Sequence, residues 1–120
     1  MGKIASLLDR LTASTHHLDA AELRSEVVRL SCVPIGEVQR GSMADLTGRI
    51  RAVVYTPAEN VATLEAELFD GTGSLDLVWL GRRRIAGIEP GRRLKARGRV
   101  GLHDGRLAMY NPAYELQAGA

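Results

Sequence analysis

The stretch SLDLVWLGRRRIAGIEPGRRLKARGRV, from Ser74 to Val100, decides the fold. Leu75, Leu77 and Trp79 alternate with Asp76, Val78 and Leu80, the period of two that sends successive side chains to opposite faces of a strand. Gly81 ends that run. Arg82 to Ile88 leaves room for a short helix, and Glu89-Pro90-Gly91 reads as a turn. Alternation then resumes, with Leu94, Ala96, Gly98 and Val100 set against Arg93, Lys95, Arg97 and Arg99.

The same period extends in both directions. Upstream, Asp70-Gly71-Thr72-Gly73 is a strong hairpin turn, because glycine supplies the positive φ that tight turns need. It joins the Leu75 run to one in which Leu64, Ala66 and Leu68 alternate with Glu65, Glu67 and Phe69. Before Thr56-Pro57, Leu46, Ile50, Ala52 and Val54 are expected on one face, with Thr47, Arg49, Arg51, Val53 and Tyr55 on the other. Downstream, His103-Asp104-Gly105 turns into a fifth strand carrying Arg106, Leu107, Met109 and Tyr110, stopped by Asn111-Pro112. Gly48 and Gly98, inside strands on the apolar phase, read as bulges or bends. Three strands, a short helix and two more strands, all closely connected, fit the five-stranded Greek-key OB-fold barrel, a fold that binds oligonucleotides or oligosaccharides.

The first forty residues read as helical. Ile4, Leu7, Leu8 and Leu11 follow helical spacing, and Thr12 to His17 reads as a loop. Asp19 with Glu22 resembles a capping box, Leu23, Val27 and Leu30 form one apolar stripe, and Pro34 ends the helix. The expected class is all-β with N-terminal helices. Its expected organisation is a helical extension over residues 1–34, an OB-fold domain over 35–116 and a tail over 117–120.

Composition narrows the function. The chain has 120 residues and a net charge of only +2, but the charge is uneven. Eight of its sixteen Lys and Arg residues fall between Arg82 and Arg99 against Glu89 alone, the footprint of a site for a polyanion. One cysteine, Cys32, excludes an internal disulfide and fits a reducing, cytoplasmic setting. No apolar run is long enough to cross a membrane as a helix, and no secretory signal pattern opens the sequence. His16, His17 and His103 are scattered, a lone cysteine makes no Cys-rich metal site, and no nucleophile turn is present. The expectation is therefore a binding protein rather than an enzyme, with no cofactor and no metal.

Single strands are bound by cations that track phosphates and by aromatic faces on which bases stack. The cations expected at the site are Arg49, Arg51, Arg82, Arg83, Arg84, Arg93, Lys95, Arg97, Arg99 and Arg106. The aromatics are Tyr55, Tyr110 and Trp79, although alternation also places Trp79 in the core. Glu65, Glu67 and Asp76 oppose this reading unless they pair with Arg49 and Arg51 across strands. Such pairing would shift the site toward the short helix and strand four. The rival is an OB-fold adaptor whose N-terminal helices dock a protein partner.

The residues also carry a resemblance. L-D-L-V-W-L-G-R-R-R-I (75–85) is similar to the third strand and following helix of the wedge domain in RecG-type branch-migration helicases. I-x-P-G-R-R-L-K-A-R-G-R-V (88–100) resembles its fourth strand. G-R-L-A-M-Y-N-P-A-Y-E-L (105–116) resembles its exit, where Pro-x-Tyr-Glu recurs, and Ile35-Gly36-Glu37-Val38 its lead-in. Within that likeness the nearest kin expected are stand-alone actinobacterial OB-fold nucleic-acid-binding proteins; separately, fourteen arginines against two lysines suggest a GC-rich bacterial genome. The resemblance implies a partner of single-stranded DNA, branched DNA or RNA, and an aromatic at position 79 at the edge of the DNA-contacting region. The sequence lacks the G-x-x-x-x-G-K-[ST] phosphate loop and a helicase motor, so only binding carries over.

Overall fold

The computed structural model describes residues 18–118. The expected helix over Ile4–Leu11 and the loop holding His16 and His17 lie outside them. Within them, residues 18–29 form one helix, α1. A single 3-10 turn follows, η1 (Ile35–Glu37), and then six strands: β1 (Met43–Thr56), β2 (Thr63–Phe69), β3 (Ser74–Leu80), β4 (Arg93–His103), β5 (Arg106–Tyr110) and β6 (Ala113–Leu116). Hydrogen-bonded pairing runs β1–β2–β3–β5–β4 and returns to β1, so five strands form a closed ring. All pairs are antiparallel except β3–β5.

The ring closes because β1 serves two neighbours. Met43–Arg49 pairs with β4, and Arg49–Thr56 pairs with β2. At the changeover the backbones crowd: a Cβ on Gly48 would run into the Phe69 carbonyl and the Leu68 side chain. Just beyond, the register slips between Ile50 and Ala52, leaving Arg51 as the extra residue of a β-bulge. The bulge reverses the side-chain phase. Ile50 is buried, yet Ala52 and Val54, expected on its face, are exposed, and Val53 packs on the core instead. Gly98, expected to bend β4, pairs in regular register with Ala44.

Inside the ring sit Leu46, Ile50, Leu64, Ala66, Leu68, Leu75, Leu77, Trp79, Leu94, Ala96, Val100 and Met109, with Ile35 from η1. Full burial of each large side chain contributes roughly 1.5–3 kcal/mol. Ile85 and Ile88 join them from the β3–β4 connection. That connection is a loop, not the expected short helix. Ile88 N–H donates to the Ile85 carbonyl (3.1 Å), closing one tight turn that buries both isoleucines. Gly87 within it takes φ +84°, a conformation no α-helix contains.

Asn111-Pro112 also does more than end β5. Asn111 sits at φ +47°, its N–H donates to the Val78 carbonyl (2.7 Å), and its Oδ1 accepts from the Leu80 N–H (3.0 Å). β3 is thereby satisfied where β5 leaves it. The chain then continues as the unexpected β6, which pairs with Leu94–Arg97 of β4.

Buried Asp70 joins η1 to the β2–β3 hairpin. Its carboxylate accepts from the N–H groups of Ile35 (2.7 Å), Thr72 (2.9 Å) and Gly73 (3.1 Å) and from the Thr72 hydroxyl (2.6 Å). α1 docks beside this hairpin, burying Leu23 and Val27, one turn apart, while Arg24 donates to the Gly71 carbonyl.

Candidate nucleic-acid interface

The expected cations divide into three environments. The first is the start of the β3–β4 loop. Arg82, Arg83 and Arg84 are all exposed, and none forms an ion pair among the described residues. The loop is nonetheless anchored: Gly81 N–H donates to the Ala62 carbonyl (2.8 Å), and Ile85 is buried immediately after the arginines. Arg83 stands over Tyr55, its guanidinium carbon 5.8 Å from the ring centroid. Because of the bulge, Tyr55 does not share a face with Arg49 and Arg51. It lies opposite Leu64, which lies opposite Trp79, so the three share one face. Tyr55 is 38% exposed and available for stacking, whereas Trp79 at 5% belongs to the core. Tyr114 meets Trp79 edge-on (5.7 Å, 83°) and covers it. Arg51, on the opposite face, lies flat over Phe69 at 3.4 Å.

The second environment is β4 with the middle of β1. α1 presents Asp19, Glu22 and Glu26 to it. Asp19 pairs with Arg49 (3.1 Å), Glu22 with Arg93 (3.0 Å), and Glu26 lies 4.0 Å from Arg93, whose side chain is only 21% exposed. Arg97 pairs with Asp45 (3.0 Å), and Arg99 donates to the Gly41 carbonyl (2.6 Å). Lys95 borders a shallow cleft of about 230 Å³ shared with Asp45, Tyr114 and Glu115. Cys32 is half-buried nearby, its thiol pKa raised chiefly by burial.

The third environment is the outer face of β2, β3 and β5. Glu65, Glu67 and Asp76 do not pair with Arg49 and Arg51, the alternative the sequence left open, because Arg49 pairs with Asp19 of α1 and Arg51 lies over Phe69. Arg106 holds Asp76 (3.0 Å) and Glu67 (3.0 Å) together. Its pKa is raised further, first by the Asp76 hydrogen bond. His103 Nε2 binds Glu65, with Asp104 at 3.5 Å. Its Nδ1 meets the Tyr110 hydroxyl (2.9 Å), which itself donates to the Leu102 carbonyl (3.1 Å). Among the described residues, Glu65, His103 and Asp104 bring donor atoms close enough to hold a metal, and their mutual contacts equally describe a hydrogen-bonded cluster. Arg106 and Tyr110 therefore sit on an acidic, neutralised face rather than with the loop arginines.

The expected residues thus do not form one surface. Arg82, Arg83, Arg84 and Tyr55 come together; Arg49, Arg93 and Arg97 are neutralised; Arg106 and Tyr110 lie elsewhere. The acidic cover was the missed feature. Asp19, Glu22 and Glu26, at i, i+3 and i+7, lie on one side of a helix and carried that signal in the sequence.

No protein-family description matches the chain, and no curated protein matches it in sequence. Among solved structures it is similar to RecG in the structure of RecG bound to a three-way DNA junction. The TM-score is 0.62 at 20% identity, over 72% of this chain and 13% of that one. The chain thus shares the fold of a small part of RecG, as the resemblance in residues 75–116 implied. Among the described residues no helix is long and apolar enough to cross a membrane.

Proposed function

We propose that this chain is a nucleic-acid-binding module on a five-stranded Greek-key OB barrel, which holds phosphates with Arg82, Arg83 and Arg84 and stacks a base on Tyr55. One observation carries the reading: three consecutive exposed arginines, none paired with a carboxylate among the described residues, are anchored beside an exposed tyrosine. The fold likeness supports it, since the RecG structure was solved on a DNA junction. The proposed role is binding without catalysis, to single-stranded or branched DNA or to RNA. The arginine bias and the fold likeness support a bacterial, cytoplasmic setting.

The test is the affinity of the chain for a fluorescent oligonucleotide across a salt series. Each phosphate neutralised on a single strand contributes about −0.7 to the slope of log affinity against log salt, so three arginines give about −2. The second reading is a protein-interaction adaptor. It is favoured by the pairing of Arg49, Arg93, Arg97 and Arg106 with carboxylates, and absence of binding at low salt selects it.

A further inference from the structure

Among the described residues two arginines face aromatic rings, and they do so differently. Arg51 lies 3.4 Å from the centre of Phe69, a closed stack with no space between the planes. Arg83 stands 5.8 Å from the centre of Tyr55. That is the outer reach of a cation–π contact. A planar ring inserted between them needs roughly 3.5 Å on each side, about 7 Å in all. An outward shift of Arg83 by about 1 Å opens that space, and an exposed arginine side chain makes such a shift by rotamer adjustment.

We infer that the gap between Arg83 and Tyr55 seats one unpaired nucleobase, gripped between guanidinium and phenol. The inference rests on the proposed nucleic-acid reading and specifies its ligand. Both walls suit the role: guanidinium stacks on π-systems, and a tyrosine face is a sequence-tolerant stacking platform. The backbone behind each wall is held in place. Tyr55 is held by β1–β2 pairing to Leu64, and the Arg83 loop is held by the Gly81–Ala62 hydrogen bond and buried Ile85. Arg82 and Arg84 flank Arg83 and supply charge for the phosphates on either side. Tyr55 shares its face with Leu64 and Trp79 on the neighbouring strands, and stacking on a ring face is tolerant of base identity, so the seat selects an unpaired base with little preference among the four. A base stacked and paired within a duplex cannot enter.

The experiment measures fluorescence anisotropy of the full chain with a labelled oligothymidine and with a labelled duplex of mixed sequence, at several salt concentrations. The single strand is expected to bind at least tenfold more tightly than the duplex. Y55A should weaken single-strand binding about tenfold, with duplex binding and the salt slope unchanged. Y55F should match the parent, which separates loss of the ring from loss of folding. R83K keeps the charge, so it should keep the salt slope while weakening single-strand binding several-fold. Equal affinity for the two forms, or Y55A binding single strands like the parent, overturns the seat and with it stacking on Tyr55, and leaves phosphate binding by Arg82, Arg83 and Arg84 standing. No binding of either form at low salt overturns both.

Discussion

The loop arginines and the β4 arginines are alike in sequence and opposite in circumstance. Arg82, Arg83 and Arg84 lead out of β3 with no carboxylate partner among the described residues, whereas Arg93 and Arg97 on β4 pair with Glu22, Glu26 and Asp45. The β4 row is half-buried at Arg93, where an unpaired charge is costly, and α1 supplies the compensating carboxylates. A guanidinium already held by a carboxylate has little to offer a phosphate. Local charge density therefore overstates the binding surface: on β4, among the described residues, only Lys95 and Arg99 lack a carboxylate partner, and Arg99 is held by the Gly41 carbonyl.

The comparison breaks most visibly if the loop is reversed in sign. R82E/R83E/R84E should lose at least a hundredfold in oligonucleotide affinity at low salt. These side chains are exposed and unpaired, so its thermal midpoint should stay close to the parent's. Retained affinity in a titration would move the site away from the loop. A smaller effect is expected from uncovering β4. E22Q/E26Q frees Arg93, so affinity should rise several-fold and the salt slope should steepen by about 0.7, one further phosphate on a single strand. Smaller again is the effect of R93M on binding. Affinity should stay within about twofold, while urea unfolding shows a loss of about 1 kcal/mol from the broken, partly buried pairs. R97A should move least: its pair with Asp45 is exposed, so stability shifts by less than about 0.5 kcal/mol and affinity by less than twofold.

Much of this was legible in the sequence. The alternation in Leu64–Leu68 and Leu75–Trp79 gave both strands and their inward faces, because a ring with an apolar interior imposes period two, although Val78 on the outward phase of β3 is also fully buried. The helix read into Arg82–Ile88 failed, because burying Ile85 and Ile88 needs only one turn and Gly87 turns the backbone left-handed. The phase of β1 beyond Ile50 failed because nothing in Arg51 itself marks a bulge. That single slip moved Tyr55 from the face of Arg49 to the face of Trp79. β6 was hidden by its proline, which reads as an ending, although Asn111 closes the edge of β3 and lets the chain carry on. The division among the arginines depends on which carboxylates α1 brings near, and that is a tertiary fact.

The claim that the loop, and not β4, meets nucleic acid is tested most directly by amide NMR of the isotopically labelled chain titrated with oligothymidine. Shifts concentrated at Val53–Thr56 and Gly81–Ile85, with Leu94–Arg99 little moved, are the expected result. Shifts centred on Leu94–Arg99 with the loop unmoved would contradict it.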